Sequence, residues 1–177
     1  MRTTRAIALG GLLLAATEAH AVGVNGAACT PGDPAIQANR YFVSAGSVNY
    51  RAGASGPVTL YCPVTVPDDF DSSCPNLQYT MRLTYRDSDG AGDAVSVTAQ
   101  LLRLSTATGA FLGSPPFAQT IASNASDTTL ATSLTAPSFG FSFKEEKEYY
   151  YFRVDMNRAA GTSHVATFYG VGLDCTE

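Results

Sequence analysis

The sequence has no tryptophan, only two histidines and few charged side chains, so few groups are available for acid–base or nucleophilic catalysis. Charged residues make up 15% of its 177 positions. His20 lies in a leading segment that we predict is removed, which leaves His164 alone. A Ser-His-Asp or Cys-His arrangement would need the His164 side chain as its base. A zinc site would need further histidine or cysteine ligands beside His164, and the cysteines are expected to be oxidised. We therefore predict no catalytic residues and a protein that is not an enzyme.

The sequence also lacks an apolar run long enough to cross a membrane. Its longest apolar run has the form of a secretory signal peptide. It spans residues 6–16, follows two arginines and is too short to cross a membrane. Ala19 and Ala21 then supply the small residues that precede a cleavage site. We predict a signal peptide over residues 1–21, a single domain over residues 22–177, and a secreted protein, periplasmic or extracellular, without a membrane span.

The chain is poor in positive charge. The predicted signal peptide contains two of the eleven basic residues and one of the fifteen acidic residues, so its removal changes the formal charge from −4 to −5. The nine basic residues that remain are scattered, with no run among them. A mildly acidic protein without a basic cluster is unsuited to nucleic acid and to anionic lipid. We expect neither as a partner.

Four cysteines follow the predicted cleavage site, namely Cys29, Cys62, Cys74 and Cys175. Export and an even count together predict two disulfides, for which three pairings exist. We favour Cys29–Cys62 with Cys74–Cys175, because the first bridge would tie the leading segment to a strand and the second would tie the C-terminus to a loop. The rival pairing, Cys62–Cys74 with Cys29–Cys175, would close a shorter loop and join the two ends.

Apolar and polar residues alternate along most of the predicted domain, and Gly, Pro, Ser and Asp separate the alternating segments. Such alternation is typical of strands with one buried and one solvent-facing side. About eight strands at this spacing predict an all-β fold, a two-sheet antiparallel β-sandwich of jelly-roll or Ig-like type. The main predicted strands cover residues 40–50, 57–64, 77–86, 94–104, 117–122, 128–134, 148–157 and 164–173.

The same alternation predicts which side chains are buried. The predicted core residues are Leu60, Met81, Leu83, Val97, Phe141, Phe152 and Val154. In the last strand, the row predicted to share one side consists of Val165, Thr167, Tyr169, Val171 and Leu173. Residues 22–36 are rich in Gly and Pro, so we predict a loose lead-in there rather than a strand.

The most motif-like stretch of the chain begins at Asp87. Asp87, Asp89 and Gly90 resemble the opening of a calcium-binding loop, and Asp93 could add an oxygen ligand. The glutamate that completes an EF-hand is absent. Asp and Gly are also the residues that turns use. We therefore predict a turn in which Gly90 or Gly92 takes a positive φ and no cofactor, with calcium at this turn as the alternative.

The strand predicted over residues 148–157 has an outer row that mixes aromatic and polar side chains. By alternation this row consists of Tyr149, Tyr151, Arg153, Asp155 and Asn157. Aromatic rings stack on the apolar faces of sugars, and neighbouring polar groups bind their hydroxyls. We predict that this row binds a ligand. The alternative is that the tyrosines are covered by a neighbouring strand or loop, since tyrosine is a good strand former.

Three features together resemble a group of short, uncharacterised secreted proteins of Gram-negative bacteria. They are a cysteine soon after the signal peptide (Cys29), a strand that ends Tyr61-Cys62-Pro63-Val64, and a tail of sandwich-like strands. Members often carry another cysteine pair on two later strands, where this chain has Ala99 and Val154 instead. The resemblance implies secretion and a β-sandwich, and it supplies no activity.

These observations predict a secreted, non-catalytic binding module that acts outside the cell or at its surface, with a carbohydrate or a protein as its ligand. The alternative is a structural subunit of a surface assembly or filament, in which edge strands pair between copies.

Overall fold

A computed structural model describes residues 21–67 and 70–176. The predicted signal peptide therefore lies outside the described residues, apart from Ala21. The strands are β1 (Ala21–Asn25), β2 (Thr30–Pro31), β3 (Tyr41–Ser44), β4 (Ser47–Tyr50), β5 (Val58–Val64), β6 (Gln78–Asp87), β7 (Val95–Ser105), β8 (Phe111–Gly113), β9 (Ile121–Ala122), β10 (Thr132–Thr135), β11 (Phe139–Gly140), β12 (Glu148–Arg158) and β13 (Ala166–Cys175). The short helices are α1 (Pro34–Gln37), α2 (Phe70–Ser73) and the single 3-10 turns Gly26–Ala28, Pro75–Leu77 and Ser123–Ala125.

The strands form two antiparallel sheets, which confirms the predicted sandwich. Sheet A has the order β10-β6-β13-β4-β3, with β1 also paired to β13 and β11 to β6. Sheet B has the order β2-β5-β12-β7-β8, with β9 also paired to β7. The successive strands β4, β5, β6 and β7 alternate between the sheets, and the late strands β12 and β13 lie between earlier ones. Two pairs of successive strands, β3–β4 and β7–β8, also lie side by side within one sheet.

The core lies between the sheets and follows the predicted alternation. Along β6 every second side chain is fully buried, and the same holds for the first part of β7 and for most of β12. Six of the predicted core residues are buried, namely Leu60, Met81, Leu83, Val97, Phe152 and Val154. Phe141 is only partly buried, so the prediction for it was wrong. It lies in the loop after β11 and packs edge-on against Phe143 and Tyr150 at the margin of the core.

The row predicted for the last strand does not share one side, because a bulge in β13 separates Thr167 and Tyr169 on the outer face from Val171 and Leu173 on the inner face. Phe168 pairs with Tyr85, but the next paired residue is Gly170, opposite Thr84. One extra residue on a strand reverses which side chains face inward. Phe168 is therefore fully buried and Tyr169 faces solvent.

The segment predicted to be a loose lead-in begins with a strand. β1 pairs with β13 over five residues. Glycines on β13 allow this close pairing, because a Cβ on Gly170 would come within 2.9 Å of the Val24 carbonyl oxygen and one on Gly172 within 2.7 Å of the Val22 carbonyl oxygen. β1 was missed because its short AVGVN sequence has little alternation of its own.

Two disulfides join the cysteines in the favoured pairing. Cys29–Cys62 ties the segment after β1 to β5 in sheet B, across 33 residues of sequence. Cys74–Cys175 ties the loop after α2 to the end of β13 in sheet A, across 101 residues. Each bridge therefore fastens an irregular segment to a different sheet.

Asp71 fixes helix α2 against the aromatic end of the core. Its Oδ1 accepts a hydrogen bond of 2.5 Å from the Tyr79 hydroxyl. Its Oδ2 accepts from the Ser142 hydroxyl at 2.8 Å and from the Phe143 backbone N–H at 2.9 Å. Burial raises the pKa of Tyr79, and the bond to Asp71 adds to this rise. Asp71 is therefore a structural acceptor that joins three segments.

Candidate functional site

The predicted outer row of β12 lies on the solvent-facing side of sheet B, near the middle of the sheet. β12 pairs with β5 on one side and β7 on the other. The inward row is buried, and the alternate residues are exposed or half-buried. The members of this outer row are Tyr149, Tyr151, Arg153, Asp155 and Asn157. The structure thus places them together on one face, and their role in binding stays a prediction.

A groove of about 670 Å³ opens on this face, at the end of the sheet where β12 begins. We call it the tyrosine groove. Its lining residues are Thr30, Tyr61, Pro63, Val64, Thr65, Leu104, Tyr149, Tyr150 and Tyr151. Tyr149 is 64% exposed and Tyr61 is 39% exposed. The alternative interpretation requires that a neighbouring strand or loop cover both Tyr149 and Tyr151. Within the described residues Tyr149 is largely exposed, whereas Tyr151 is half-buried.

The register of the strands brings the tyrosines of different strands together. Arg153 pairs with Tyr61, and Tyr151 pairs with Pro63, so Tyr61 and Tyr151 are diagonal neighbours. Their rings meet edge to face with centroids 5.6 Å apart. Edge-to-face contacts between neighbouring rings are favourable. Burial raises the pKa of Tyr151, the neighbouring Tyr61 adds to the rise and Arg153 opposes it.

The polar members of the row continue from the groove toward the other end of β12. Arg153 Nε lies 2.9 Å from Asp155 Oδ2. The Thr59 hydroxyl donates to Asp155 Oδ1 at 2.6 Å. Arg153 and Asp155 thus neutralise each other beside the groove. Asn157 is exposed at the far end of the row and does not line the groove.

Several groove residues were absent from the prediction. Tyr61 could have been found, because alternation in the strand 57–64 already places it on the outer side. What the sequence could not show is that β5 lies next to β12, which depends on long-range pairing. Leu104 was missed for the same reason, since it faces Tyr149 across the β7–β12 pair.

Asp87 is a buried structural group. Its Oδ2 accepts a hydrogen bond from the Ser123 hydroxyl, and that hydroxyl oxygen accepts from the Val97 backbone N–H at 2.9 Å. Burial, followed by a hydrogen bond with Asp89, raises the pKa of Asp87 to about 6, while the bond from Ser123 opposes this rise. Asp87 therefore joins the end of β6 to β7 through Ser123.

Asp89 closes the loop that follows β6. Its Oδ2 accepts from the backbone N–H groups of Ala94 at 2.7 Å and Val95 at 3.3 Å. Burial would raise the pKa of Asp89, but hydrogen bonds from Asp87 and from these two backbone groups outweigh it and hold the pKa below its ordinary value.

The predicted turn is present, and the three aspartates do not converge. Gly90 has φ +64°, as the turn interpretation required. Asp93 is exposed, while Asp87 and Asp89 accept hydrogen bonds from the protein itself. Within residues 21–67 and 70–176, no three His, Cys, Asp or Glu side chains form a group that could hold a metal ion. The calcium alternative at this turn receives no support from the geometry.

His164 lies beside the same loop. Its Nδ1 is 3.1 Å from the Ser88 carbonyl oxygen and 3.4 Å from the Ser88 hydroxyl oxygen. A carbonyl oxygen only accepts hydrogen bonds, so the shorter contact requires that Nδ1 carry the proton and donate it. Nδ1 then cannot also accept a hydrogen bond from the Ser88 hydroxyl. The Ser88 hydroxyl itself accepts from the Val165 backbone N–H at 2.7 Å. These contacts join the β6–β7 loop to the start of β13.

No family model and no curated protein matches the chain. It is distantly similar to a family two carbohydrate esterase from Cellvibrio japonicus, with a TM-score of 0.40 and 10% identity over 90% of this chain and 34% of that one. It is also similar to an arabinose-bound MgGH51 α-L-arabinofuranosidase, with a TM-score of 0.39 and 18% identity over 86% of this chain and 26% of that one. A third similar structure is that of infectious bursal disease virus, Gt strain, with a TM-score of 0.37 and 12% identity over 97% of this chain and 38% of that one. The chain thus spans between 26% and 38% of these three chains.

In the part of the chain that the structure describes, none of the helices has the length and apolar character needed to cross a membrane.

Proposed function

We propose that this protein is a secreted, non-catalytic carbohydrate-binding module and that the tyrosine groove is its binding site. The observation that carries this proposal is the presence of Tyr61, Tyr149 and Tyr151 in one solvent-facing groove. Tyrosine has an apolar ring and a polar hydroxyl, so it can contact the C–H face of a sugar and its hydroxyls together. A cluster of exposed aromatic rings on a sheet face marks an interaction surface.

The hydrogen-bonding groups around the groove also suit a sugar. Thr30 and Thr65 line it with hydroxyls, which both donate and accept. Beside it, Arg153 and Asp155 offer donors and acceptors while neutralising each other. A concave, mostly apolar surface with a few polar groups at its edge is the usual form of a small-ligand site.

The composition of the groove favours binding over hydrolysis. Glycoside hydrolysis requires two carboxyl groups facing each other across the sugar. None of the residues that line the groove is acidic. The nearest acidic residue in the outer row, Asp155, is occupied by Arg153 and Thr59.

A glycan array tests this proposal directly. The purified protein should bind a restricted set of glycans, and the double variant Tyr149→Ala with Tyr151→Ala should lose that binding. A matched control is Tyr169→Ala, which removes an exposed tyrosine from the outer face of sheet A. Retention of glycan binding by the double variant would show that the groove is not the site. Failure of the parent to bind any glycan would argue against a carbohydrate ligand.

A structural subunit is the second candidate, and one observation favours it. β3 pairs with β4 on one side, and in the described part of sheet A its other edge has no partner strand. This edge exposes Phe42 and Val43, and an exposed apolar edge can pair with another chain. Light scattering separates the two candidates, since a module stays monomeric at high concentration and a subunit forms larger assemblies.

Secretion and the resemblance to short secreted proteins of Gram-negative bacteria belong to the same proposal. The two disulfides support it, because such bridges persist in oxidising compartments. N-terminal sequencing of exported protein tests it, and the expected first residue is Val22.

A further inference from the structure

The aromatic surface continues beyond the tyrosine groove onto β8. Leu104, at one end of the groove, pairs with Tyr149 on β12 and with Phe111 on β8. Side chains of directly opposed residues lie on the same face of an antiparallel sheet. Phe111 therefore stands next to Leu104 on the outer face of sheet B, where it is 62% exposed.

A bulge in the β7–β8 pair sets the position of this ring. Arg103 pairs with Gly113 and Leu104 with Phe111, so Leu112 is the extra residue. Bulges of this kind often redirect a side chain at a sheet edge. Phe111 contributes little to the core because most of its surface is in solvent, so folding alone does not account for an aromatic ring here.

Aromatic rings on the outer face form a diagonal line across sheet B, in the order Tyr61, Tyr151, Tyr149 and Phe111, of which Tyr151 is half-buried and the other three are exposed. Tyr61 on β5 and Phe111 on β8 are separated by three strand spacings. Tyr61 lies opposite Arg153, and Phe111 lies at the level of Tyr149, so the two rings are also four residues apart along the strand direction. With about 4.8 Å between strands and about 3.3 Å per residue, the line is roughly 20 Å long. This exceeds the length of a disaccharide.

The charge along this line is balanced. The residues that line the groove are all uncharged, and the charged side chains beside it on the outer face, Arg153 and Asp155, are paired with each other. A fixed row of anionic groups on the ligand would find no unpaired cation there, and an ion pair would have to open to accept it.

We infer that the site takes an uncharged, linear polysaccharide that runs diagonally across the strands of sheet B, and that Phe111 is a further binding residue at the far end of the chain. This inference rests on the proposed function. It adds a direction, a minimum length and a charge class to the ligand, and it assigns a role to an exposed phenylalanine outside the groove.

The test is a set of calorimetric titrations with linear oligosaccharides from disaccharide to hexasaccharide. Neutral gluco-, xylo- and manno-oligosaccharides are compared with galacturonic acid oligomers of the same lengths. For the neutral series that binds, affinity should rise with length. Phe111→Ala should weaken hexasaccharide binding at least tenfold and leave disaccharide binding within twofold. The control Phe42→Ala removes an exposed ring from sheet A and should change neither.

The outcomes separate this inference from the proposal it rests on. If Tyr61→Ala abolishes binding while Phe111→Ala leaves the hexasaccharide affinity unchanged, the groove is the site and the diagonal extension is wrong. If affinity does not rise beyond the disaccharide, the ligand is a short or terminal sugar and the inference also fails. Tighter binding of the galacturonic acid oligomers would overturn the charge class. If no oligosaccharide binds, both the inference and the proposed function are wrong.

Discussion

The two sheets bury equivalent inner rows but expose different outer faces. The outer face of sheet B has the tyrosine groove, with aromatic rings from β5 and β12. On sheet A, one hollow of about 430 Å³ is lined by Thr84, Ala131, Thr132, Ser133 and Tyr169. A second, of about 270 Å³, is lined by the glycines Gly23, Gly170 and Gly172 together with Val24, Asn25, Arg82, Thr84, Tyr169 and Val171. Arg82 there is paired with Asp174 at 3.1 Å. The inner rows form the core, and the proposed function assigns the difference between the outer faces to what each face contacts.

The largest effects should come from the inner faces and should be similar for the two sheets. Phe152 of sheet B and Leu83 of sheet A are both fully buried. Phe152→Ala should lower the free energy of unfolding by about 3–5 kcal/mol and Leu83→Ala by about 2–5 kcal/mol, through lost burial and a cavity. Urea unfolding measures both. A loss within experimental error for either variant would mean that this row is not part of the core.

The disulfides should also stabilise the two sheets unequally. The loop closed by Cys74–Cys175 is about three times longer than the loop closed by Cys29–Cys62. Replacing each pair by alanines should cost roughly 2–5 kcal/mol, and the pair with the longer loop about 1 kcal/mol more, because it removes more entropy from the unfolded chain. Thermal unfolding of the two double variants compares them. A larger loss for Cys29–Cys62 would contradict the loop-entropy account.

A smaller, pH-dependent effect should arise from Asp87 in sheet A. Its pKa is about 6 in the folded protein and about 3.9 in an unfolded chain. The folded state therefore holds the proton more tightly. The stability contributed by this group is fully present below about pH 4 and is lost as the pH rises through about 6. At about 1.36 kcal/mol per pKa unit, the change is at most roughly 3 kcal/mol.

Asp87→Asn isolates this contribution. The free energy of unfolding of the parent, measured from pH 4 to pH 7, should fall relative to that of the variant, which has no proton to lose at this position. Asp93→Asn is the control, because Asp93 is exposed, and it should keep the slope of the parent. Identical pH profiles for the parent and Asp87→Asn would show that Asp87 does not titrate in this range.

The smallest effect on stability should come from the exposed ring of Tyr149. Tyr149→Ala should change the free energy of unfolding by no more than about 0.5 kcal/mol, as is usual for surface substitutions. A loss of several kcal/mol, measured by the same urea unfolding, would mean that Tyr149 supports the fold and that the two outer faces differ for structural reasons.

Local alternation in the sequence predicted most of the fold. β6 and β12 were recognised because every second residue is apolar, and the burial of Met81 and Phe152 followed from that pattern alone. The bulge at Tyr169 was not predictable, because it depends on where β13 pairs with β6. β1 was missed because its pairing uses glycines of a strand near the other end of the chain.

The candidate site was predictable only along one strand. Tyr149 and Tyr151 were found because they alternate within β12. Tyr61 and Phe111 join them through the pairing of β5, β7 and β8, which alternation within a strand does not encode. The difference between the two outer faces could therefore be seen only once the strand order was known.

The most direct test of the central claim compares two tyrosines of nearly equal exposure on opposite faces. Tyr61 is 39% exposed on sheet B and Tyr169 is 37% exposed on sheet A. Calorimetric titration with the neutral oligosaccharide that a glycan array identifies should show at least a tenfold weaker affinity, about 1.4 kcal/mol, for Tyr61→Ala and no change for Tyr169→Ala. Equal affinities for the two variants, or a loss only in Tyr169→Ala, would contradict the assignment of the outer face of sheet B as the binding surface.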